Sequence, residues 1–342
     1  MLTKTGMNFL IRTSGGPAPK KQNIGYGHLF RSINLAKSLS INKTFFALED
    51  FGGCKQILNQ NGIKNINIFK KNLTIESDIL KTEQIIHKNS IDVLIIDKRK
   101  ISNNYIKKLN SLVKTVVIYD IHDYNFPSHL VINGFIGFKN QIIKNNFNSK
   151  CMLGPKYFIL NKKFTKRKNR SKKIDILVTF GGFDASHLVE IFLSAAEDFL
   201  DNISIKIILG PGTKKNSFIK NFEKKFQNKL SVIQTTSNMH QEISNTKFGI
   251  CAGGFTTYEF AALKVPFAII SQVPHQLEIA RVWEKKKIAY NLGIVNHNTR
   301  NKIIDILKNV QKNNFKINLK YGQSDGLGVL RVSKEIKKLQ KN

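Results

Sequence analysis

Ile24-Gly25-Tyr26-Gly27-His28-Leu29-Phe30-Arg31 is the stretch on which the reading of the fold turns. Upstream of it, Asn8-Phe9-Leu10-Ile11-Arg12-Thr13 has the apolar character of a short buried strand. Downstream, Leu29, Ile33, Leu35, Ala36 and Leu39 recur on one helical face between His28 and Ser40. Two glycines around one residue let the chain turn sharply and leave room beside the main chain. The stretch is therefore a strand-to-helix turn, with His28 in the first turn of the helix, where unpaired N–H groups and the positive dipole end favour an anion. A Gly-x-Gly at such a turn also serves as a plain tight connection. The polar run from Ser14 to Asn23, with Gly15, Gly16, Pro17 and Pro19, reads as a long loop beside it.

Outward from this turn the pattern repeats. Strand-like runs at 44–48, 66–69, 93–97 and 116–120 alternate with helix-like runs at 53–61, 77–88 and 103–113, which predicts a parallel sheet covered by helices. A second half starts afresh at 174–180 and turns through Gly181-Gly182-Phe183-Asp184 into a helix. Strands at 203–209, 230–234 and 248–251 and helices at 218–227, 239–244, 276–287, 303–311 and 329–340 complete it. The Lys- and Arg-rich run at 161–173 between the halves reads as an exposed linker. The expected organisation is one domain over 1–150, a hinge and basic linker over 151–173, and a second domain over 174–342, with a cleft between the two α/β halves.

Composition narrows the function classes. A chain of 342 residues with 41% hydrophobic content has enough apolar material for two cores. No run approaches the roughly 18 apolar residues of a membrane span, and residues 1–7 lack the apolar core of a secretory signal. Cys54, Cys151 and Cys251 are widely separated, which points to a reducing cytoplasm and no structural zinc. The net charge of +32 attracts phosphate-bearing partners or an anionic surface. Because the lysines are scattered and Phe164 is the lone aromatic in the basic run, no nucleic acid is expected, a basic anion- or nucleic-acid-binding protein being the alternative of another class that the charge offers; a peripheral contact with an anionic membrane is compatible with the charge. A monomer is expected.

Several strand-like runs end in a polar residue, namely Asp97, Asp120 and Asn133. In open α/β sheets ligands collect outside these carboxyl ends, and the same residue types cap the element that follows. In Gly253-Gly254-Phe255-Thr256-Thr257-Tyr258-Glu259, glycines, hydroxyls and a helix start together suit a diphosphate, with Glu259 one turn in to accept from ribose hydroxyls. A capping box, with a threonine as cap and Glu259 replying, uses the same residues. Gly181 and Gly182 offer a second close backbone approach. There is no P-loop Lys-Ser, no His-Glu-x-x-His and no third glycine after Gly27, so neither a metal nor any cofactor is expected.

The motifs also occur in a known order. Gly27-His28 with Arg31, Asp97 and Asp120, Leu153-Gly154-Pro155-Lys156-Tyr157, Gly181-Gly182-x-Asp184, Gly253-Gly254-x-Thr256 with Glu259, and Gln276 with Ile279-Ala280 follow one another along the chain. Together they resemble the UDP-2,4-diacetamido-2,4,6-trideoxy-β-L-altropyranose hydrolase family of pseudaminic-acid biosynthesis. That family includes spore-coat polysaccharide proteins and is related to the UDP-GlcNAc transferase of peptidoglycan assembly. The resemblance implies a GT-B fold, two Rossmann-like domains with parallel sheets facing an interdomain cleft, and a metal-independent hydrolysis at the anomeric carbon of a UDP-sugar. It implies that His28 holds or deprotonates the attacking water. Gly25, Gly27, Arg31, Asp97, Asp120, Asn133, Tyr157, His275 and Gln276 would surround the sugar, and Gly181, Gly182, Gly253, Gly254, Thr256, Thr257 and Glu259 would surround UDP.

Three positions depart from the family pattern. Ser14 stands where members carry an acidic residue two places after the first-strand arginine, here Arg12; Phe255 replaces a small residue and His275 an asparagine. If the missing groups orient the histidine and the sugar, the altered shell implies a different sugar, or transfer to an acceptor hydroxyl by a GT-B glycosyltransferase of surface polysaccharide or glycolipid. His275 would then be available as a second base.

Overall fold

Apolar runs covered on both faces settle into parallel strands, while runs with one apolar stripe become the helices that cover them. The computed structural model describes residues 6–17, 25–99, 101–165, 173–314, 317 and 324–340, in two units. Unit 1 opens with β1 (Phe9–Gly15), α1 (Gly27–Leu39), β2 (Thr44–Asp50), α2 (Cys54–Gln60), β3 (Ile66–Phe69), α3 (Ile75–Lys88), β4 (Val93–Asp97) and α4 (Asn103–Asn110). It continues with β5 (Lys114–Tyr119), β6 (Leu130–Asn133), β7 (Gln141–Lys144) and β8 (Lys150–Leu153). The strand order is β3-β2-β1-β4-β5-β6-β8-β7, parallel throughout except for the antiparallel edge strand β7.

Unit 2 repeats the design. Its elements are β9 (Ile174–Thr179), α5 (Leu188–Ala196), β10 (Ile205–Leu209), α6 (Ser217–Lys225), β11 (Leu230–Gln234), α7 (Met239–Ser244), β12 (Thr246–Cys251), α8 (Phe255–Leu263), β13 (Phe267–Ser271), α9 (Pro274–Lys285), β14 (Ala289–Ile294) and α10 (Thr299–Gln311). The sheet is wholly parallel, in the order β11-β10-β9-β12-β13-β14. In each unit the strand order therefore reverses beside the first strand, between β1 and β4 and between β9 and β12. These switch points are where a doubly wound sheet opens a crevice at its carboxyl edge.

The last helix, α11 (Gly328–Lys337), does not belong to the unit that precedes it. Val329, Val332 and Ile336 share one core with Leu29, Ile33 and Leu35 of α1, and Ser38 Oγ donates to Ser333 Oγ at 2.8 Å. Unit 1 is thus Met1–Lys162 with Gly326–Asn342, and unit 2 is Lys163–Asp325. This corrects the expectation of a second domain running over 174–342, and it moves the division from the 151–173 segment as a whole to Lys162. Residues 166–172 of the expected basic linker lie outside the described residues.

β1 is also longer than expected. Ser14 and Gly15, read as loop, pair with Glu49 and Asp50 of β2, and the Gly16 N–H donates to the Gly25 carbonyl at 2.9 Å. Residues 18–23 of that loop, and Ile24 after it, lie outside the described residues. The β7–β8 hairpin and β14 were not legible as strands: β7 is an edge strand with mostly exposed side chains and carries no apolar stripe. Among the described residues no helix is long and apolar enough to cross a membrane.

Candidate active site

At the unit 1 switch point, α1 starts immediately after the Gly25 turn, on no side-chain cap. Helical spacing puts His28, Arg31 and Ser32 on one face of its first turns, and that face meets the end of β4. His28 Nδ1 lies 2.6 Å from Asp97 Oδ1. Arg31 Nε and Nη2 donate to the two Asp97 oxygens at 3.0 and 2.6 Å, and Ser32 Oγ donates to Oδ2 at 3.3 Å. Arg31 also reaches the end of β5, donating through Nη1 to Asp120 Oδ1 at 2.6 Å. One buried guanidinium therefore clamps two carboxylates from neighbouring strands, the planar-fork recognition that arginine provides and lysine does not.

The electrostatics follow from that clamp. Burial alone would push the Asp97 carboxyl up, but Arg31 and His28 outweigh it and hold the group well below the usual carboxylate range. Burial would likewise lower the Arg31 guanidinium, yet Asp120 and Asp97 raise it further above its ordinary value. A proton on His28 Nδ1 satisfies the short contact with the ionised Asp97, and in the neutral imidazole Nε2 is then the acceptor; Arg31 Nη2 also stands 3.1 Å from Nδ1. Nε2 stands 4.0 Å from Asp120 Oδ2, and the Asp120 side chain is 42% exposed, against 14% for His28 and none for Asp97. The arrangement is a histidine oriented by a buried carboxylate, with a second, accessible carboxylate alongside.

At the unit 2 switch point main chain and glycines predominate. α8 begins at Phe255 with Gly254 before it and no side-chain cap. Gly254 has φ −123°, a value open to any residue, and a Cβ there would meet no atom within 4 Å. A side chain at this position would therefore meet open space. Gly253 differs: a Cβ there would stand 2.6 Å from the Gln276 carbonyl oxygen. Across the switch, Gly181 takes φ +82° with open space beside it. The Gln276 amide is oriented by its own oxygen, which accepts from the Gln272 N–H at 2.8 Å and so turns the NH2 group away from that bond.

Glu259 sits one turn into α8 and is 8% exposed. Burial raises its carboxyl to about 8, and a hydrogen bond with Thr256 opposes this only in part. No salt bridge to Glu259 is present among the described residues. Cys251, buried nearby, is raised by burial and by Glu259.

The expected site residues divide accordingly. His28, Arg31, Asp97 and Asp120 come together in unit 1, with Asp97 fully buried and holding His28 and Arg31 instead of facing a sugar. Asn133 is occupied by the fold: Nδ2 donates to the carbonyls of Ile121 and Asp123, and Oδ1 accepts from the Phe135 N–H. Tyr157 is buried in the core shared with α11. Gly25 supplies the φ +62° turn and the bridge to Gly16, and Gly27 is the first residue of α1.

In unit 2, Gly181, Gly253, Gly254, Thr256 and Glu259 gather at the carboxyl edge, joined by Gln276 from α9. Gly182 lies in the same turn, but its carbonyl accepts from the Gly212 N–H at 2.8 Å. Thr257, expected as a free hydroxyl donor, is fully buried and donates to the Gly254 carbonyl at 2.7 Å. The capping box does not form as drawn, because no side chain caps α8. His275 is half-buried in the first turn of α9. Strand alternation turns Ser14 to the face of Arg12, whose guanidinium pairs with Asp78 at 2.6 Å, and away from the Thr13–Asp97 face of His28. An acid at position 14 would therefore not have oriented His28. Ser32 was missed, although its position four residues after His28 is a signal the sequence carries. Among the described residues no group of three or more His, Cys, Asp or Glu is placed to hold a metal ion.

No family model matches the chain. It is 30% identical over 285 residues to an uncharacterized protein of Methanocaldococcus jannaschii, covering 77% of this chain and 56% of that protein. The chain thus spans little more than half the length of this relative. It is 27% identical over 282 residues to the spore coat polysaccharide biosynthesis protein SpsG of Bacillus subtilis, covering 79% of this chain and 80% of that one. Among solved structures, MurG of Acinetobacter baumannii superposes with a TM-score of 0.60 at 14% identity, over 97% of this chain and 99% of that one. Alr3699/HepE of Anabaena, in complex with UDP and glucose, superposes with a TM-score of 0.57 at 11% identity, over 98% and 100%. Likeness at such identities establishes the fold, and the fold is GT-B-like: two α/β units, each built on a parallel sheet.

Proposed function

We propose that this chain is a UDP-sugar hydrolase of polysaccharide biosynthesis, acting at the anomeric carbon of an amino-deoxy sugar in a pathway to a nonulosonic acid of the pseudaminic type. Unit 2 takes the diphosphate at the Gly253–Gly254 start of α8, with Glu259 accepting from the ribose hydroxyls, and unit 1 supplies the base. In the reaction, His28 Nε2 removes a proton from water as its oxygen attacks the anomeric carbon. The bond from that carbon to the diphosphate oxygen breaks with its electron pair on UDP, and the helix-terminal N–H groups stabilise the developing charge. Asp97 keeps His28 in the tautomer that can accept the proton, and Arg31 keeps both carboxylates ionised.

The observation that carries this reading is the His28 centre itself, with Nδ1 held by Asp97 and Nε2 directed beside the accessible Asp120 at 4.0 Å. Water has two hydrogens to satisfy, and two acceptors at this spacing suit it. The SpsG relative, named for spore coat polysaccharide biosynthesis, and the UDP held by HepE support the substrate class. The test is release of UDP from UDP-linked amino sugars without any acceptor, in wild type and His28→Ala. Unchanged turnover in His28→Ala would remove the mechanism.

A second reading, glycosyl transfer to an acceptor hydroxyl, is favoured by the likeness to MurG and by His275 as another candidate base. UDP release that appears only when an acceptor is added would decide for transfer.

A further inference from the structure

Gln272, one residue beyond β13, ties together loops that the strand order keeps apart. Its Nε2 donates to the carbonyls of Phe180 and Phe183 at 3.1 and 3.4 Å, and its Oε1 accepts from the Ser186 N–H at 3.2 Å. Its own backbone N–H donates to Gln276 Oε1 at 2.8 Å. β13 and β9 are not neighbours, since β12 lies between them. With strands about 4.8 Å apart, the side chain must reach across the end of β12, where the chain turns through Gly253 and Gly254. That turn packs closely on Gln276 in its own right, since a Cβ added at Gly253 would stand 2.6 Å from the Gln276 carbonyl oxygen. One residue therefore holds the Gly181–Gly182 loop through its side chain and the support of the Gly253 turn through its backbone.

We infer that Gln272 is a positioning residue, setting the separation of the Gly181–Gly182 loop and the Gly253–Gly254 turn at which a nucleoside diphosphate is held; this rests on the UDP-sugar reading proposed above. A neutral amide is the group suited to the task. It offers two donors to two carbonyls and one acceptor to an N–H, without adding negative charge where an anion binds. Glutamate in its place would lose both donors and repel the ligand.

Gln234, the last residue of β11, supplies an internal control. Its Nε2 donates to the carbonyls of Gly210 and Thr213 at 3.0 and 2.9 Å, the same chemistry applied to the next loop outward. It makes no bond to Gln276 or to the Gly181–Ser186 segment itself; its loop meets that segment one step removed, through Gly212 N–H donating to the Gly182 carbonyl and Asp184 N–H donating to Thr213 Oγ1. If Gln272 served only to stabilise the fold, the two substitutions would behave alike.

The experiment compares wild type, Gln272→Ala, Gln272→Glu and Gln234→Ala in calorimetric titrations with UDP and, separately, with inorganic pyrophosphate, together with amide hydrogen exchange of the unliganded proteins. Gln272→Ala is expected to weaken UDP binding at least about tenfold and Gln272→Glu more, while Gln234→Ala stays within about twofold. Exchange over 180–186 should accelerate in the Gln272 variants and not in Gln234→Ala. Equal losses in Gln272→Ala and Gln234→Ala, or a Gln272→Ala protein that binds within about twofold of wild type, would overturn the inference. If wild type binds neither UDP nor pyrophosphate, the UDP reading fails on its own account. The exchange data then decide the bracing by themselves: unchanged protection at 180–186 in Gln272→Ala removes it.

Discussion

The two units place a site at the same point of the same topology and build it by opposite means. In unit 1 the site is made of charged side chains that hold one another: Arg31 between Asp97 and Asp120, with His28 on Asp97. In unit 2 it is made of main chain: glycine turns, an uncapped helix start and a buried carboxyl with no salt bridge among the described residues. On the proposed function the difference follows from two tasks. A proton acceptor must be oriented and kept in one tautomer, which takes a fixed carboxylate. A diphosphate presents its own charge and needs donors and room, which backbone N–H groups and glycine provide.

The comparison breaks most visibly at His28. His28→Ala should lower turnover by about 10²–10⁴-fold, the usual contribution of a general base, while calorimetry finds UDP binding within about threefold of wild type. Comparable loss of binding would mean that the two sites are not divided by task. Arg31→Met should cost about 3–5 kcal/mol in denaturant unfolding, since it leaves Asp97 buried without its cation. A loss under about 1 kcal/mol, in the range of surface ion pairs, would show that the clamp is not what holds the unit 1 site.

The pH dependence of stability should differ in sign between the two carboxyls. Asp97 is held below its ordinary 3.8, so its contribution is present above that value and is lost as pH falls toward the lower folded value. Glu259 is raised from 4.5 to about 8. Between those values the unfolded chain releases the proton that the folded chain keeps, and stability falls as pH rises through this window, then levels off above it. Glu259→Gln should flatten this descent and leave the variant more stable than wild type near pH 9, on the order of 1–3 kcal/mol. Parallel unfolding curves for the two proteins from pH 5 to 9 would place a cation beside Glu259.

The smallest effect on stability, and the sharpest test of the glycines, is the pair at the start of α8. Gly254→Ala should change stability by less than about 0.5 kcal/mol, because its Cβ would meet nothing, and yet weaken UDP about tenfold. Gly253→Ala should instead destabilise by about 1–3 kcal/mol, because its Cβ would press on the Gln276 main chain.

How much of this was legible in advance differs residue by residue. Asp97, Asp120 and Asn133 look alike in the sequence, each a polar residue closing an apolar run. In the fold Asp97 holds His28, Asp120 stays accessible beside it, and Asn133 bonds the loop and main chain at 121–135. Strand-end position is a local property, but the partner depends on which helix crosses that strand. Thr256 and Thr257 were equivalent on paper, and one residue of helical rotation separates a group that reaches Glu259 from one that bonds Gly254. Gln272 carried no signal, since its role exists only because the strand order sets β12 between β13 and β9.

The sequence by itself determined the two parallel α/β halves, the strand-to-helix turn that introduces His28 and the glycines at the start of α8, because periodicity and turn chemistry are local and survive without a fold. Only the tertiary structure decided that α11 returns to unit 1, that Arg31 clamps both carboxylates beside His28, and that Glu259 lies buried with no salt bridge among the described residues. An amphipathic helix does not specify which sheet it will cover, and a side chain's proton affinity is set by neighbours that may stand 60 or more residues away, as Asp97 does from His28.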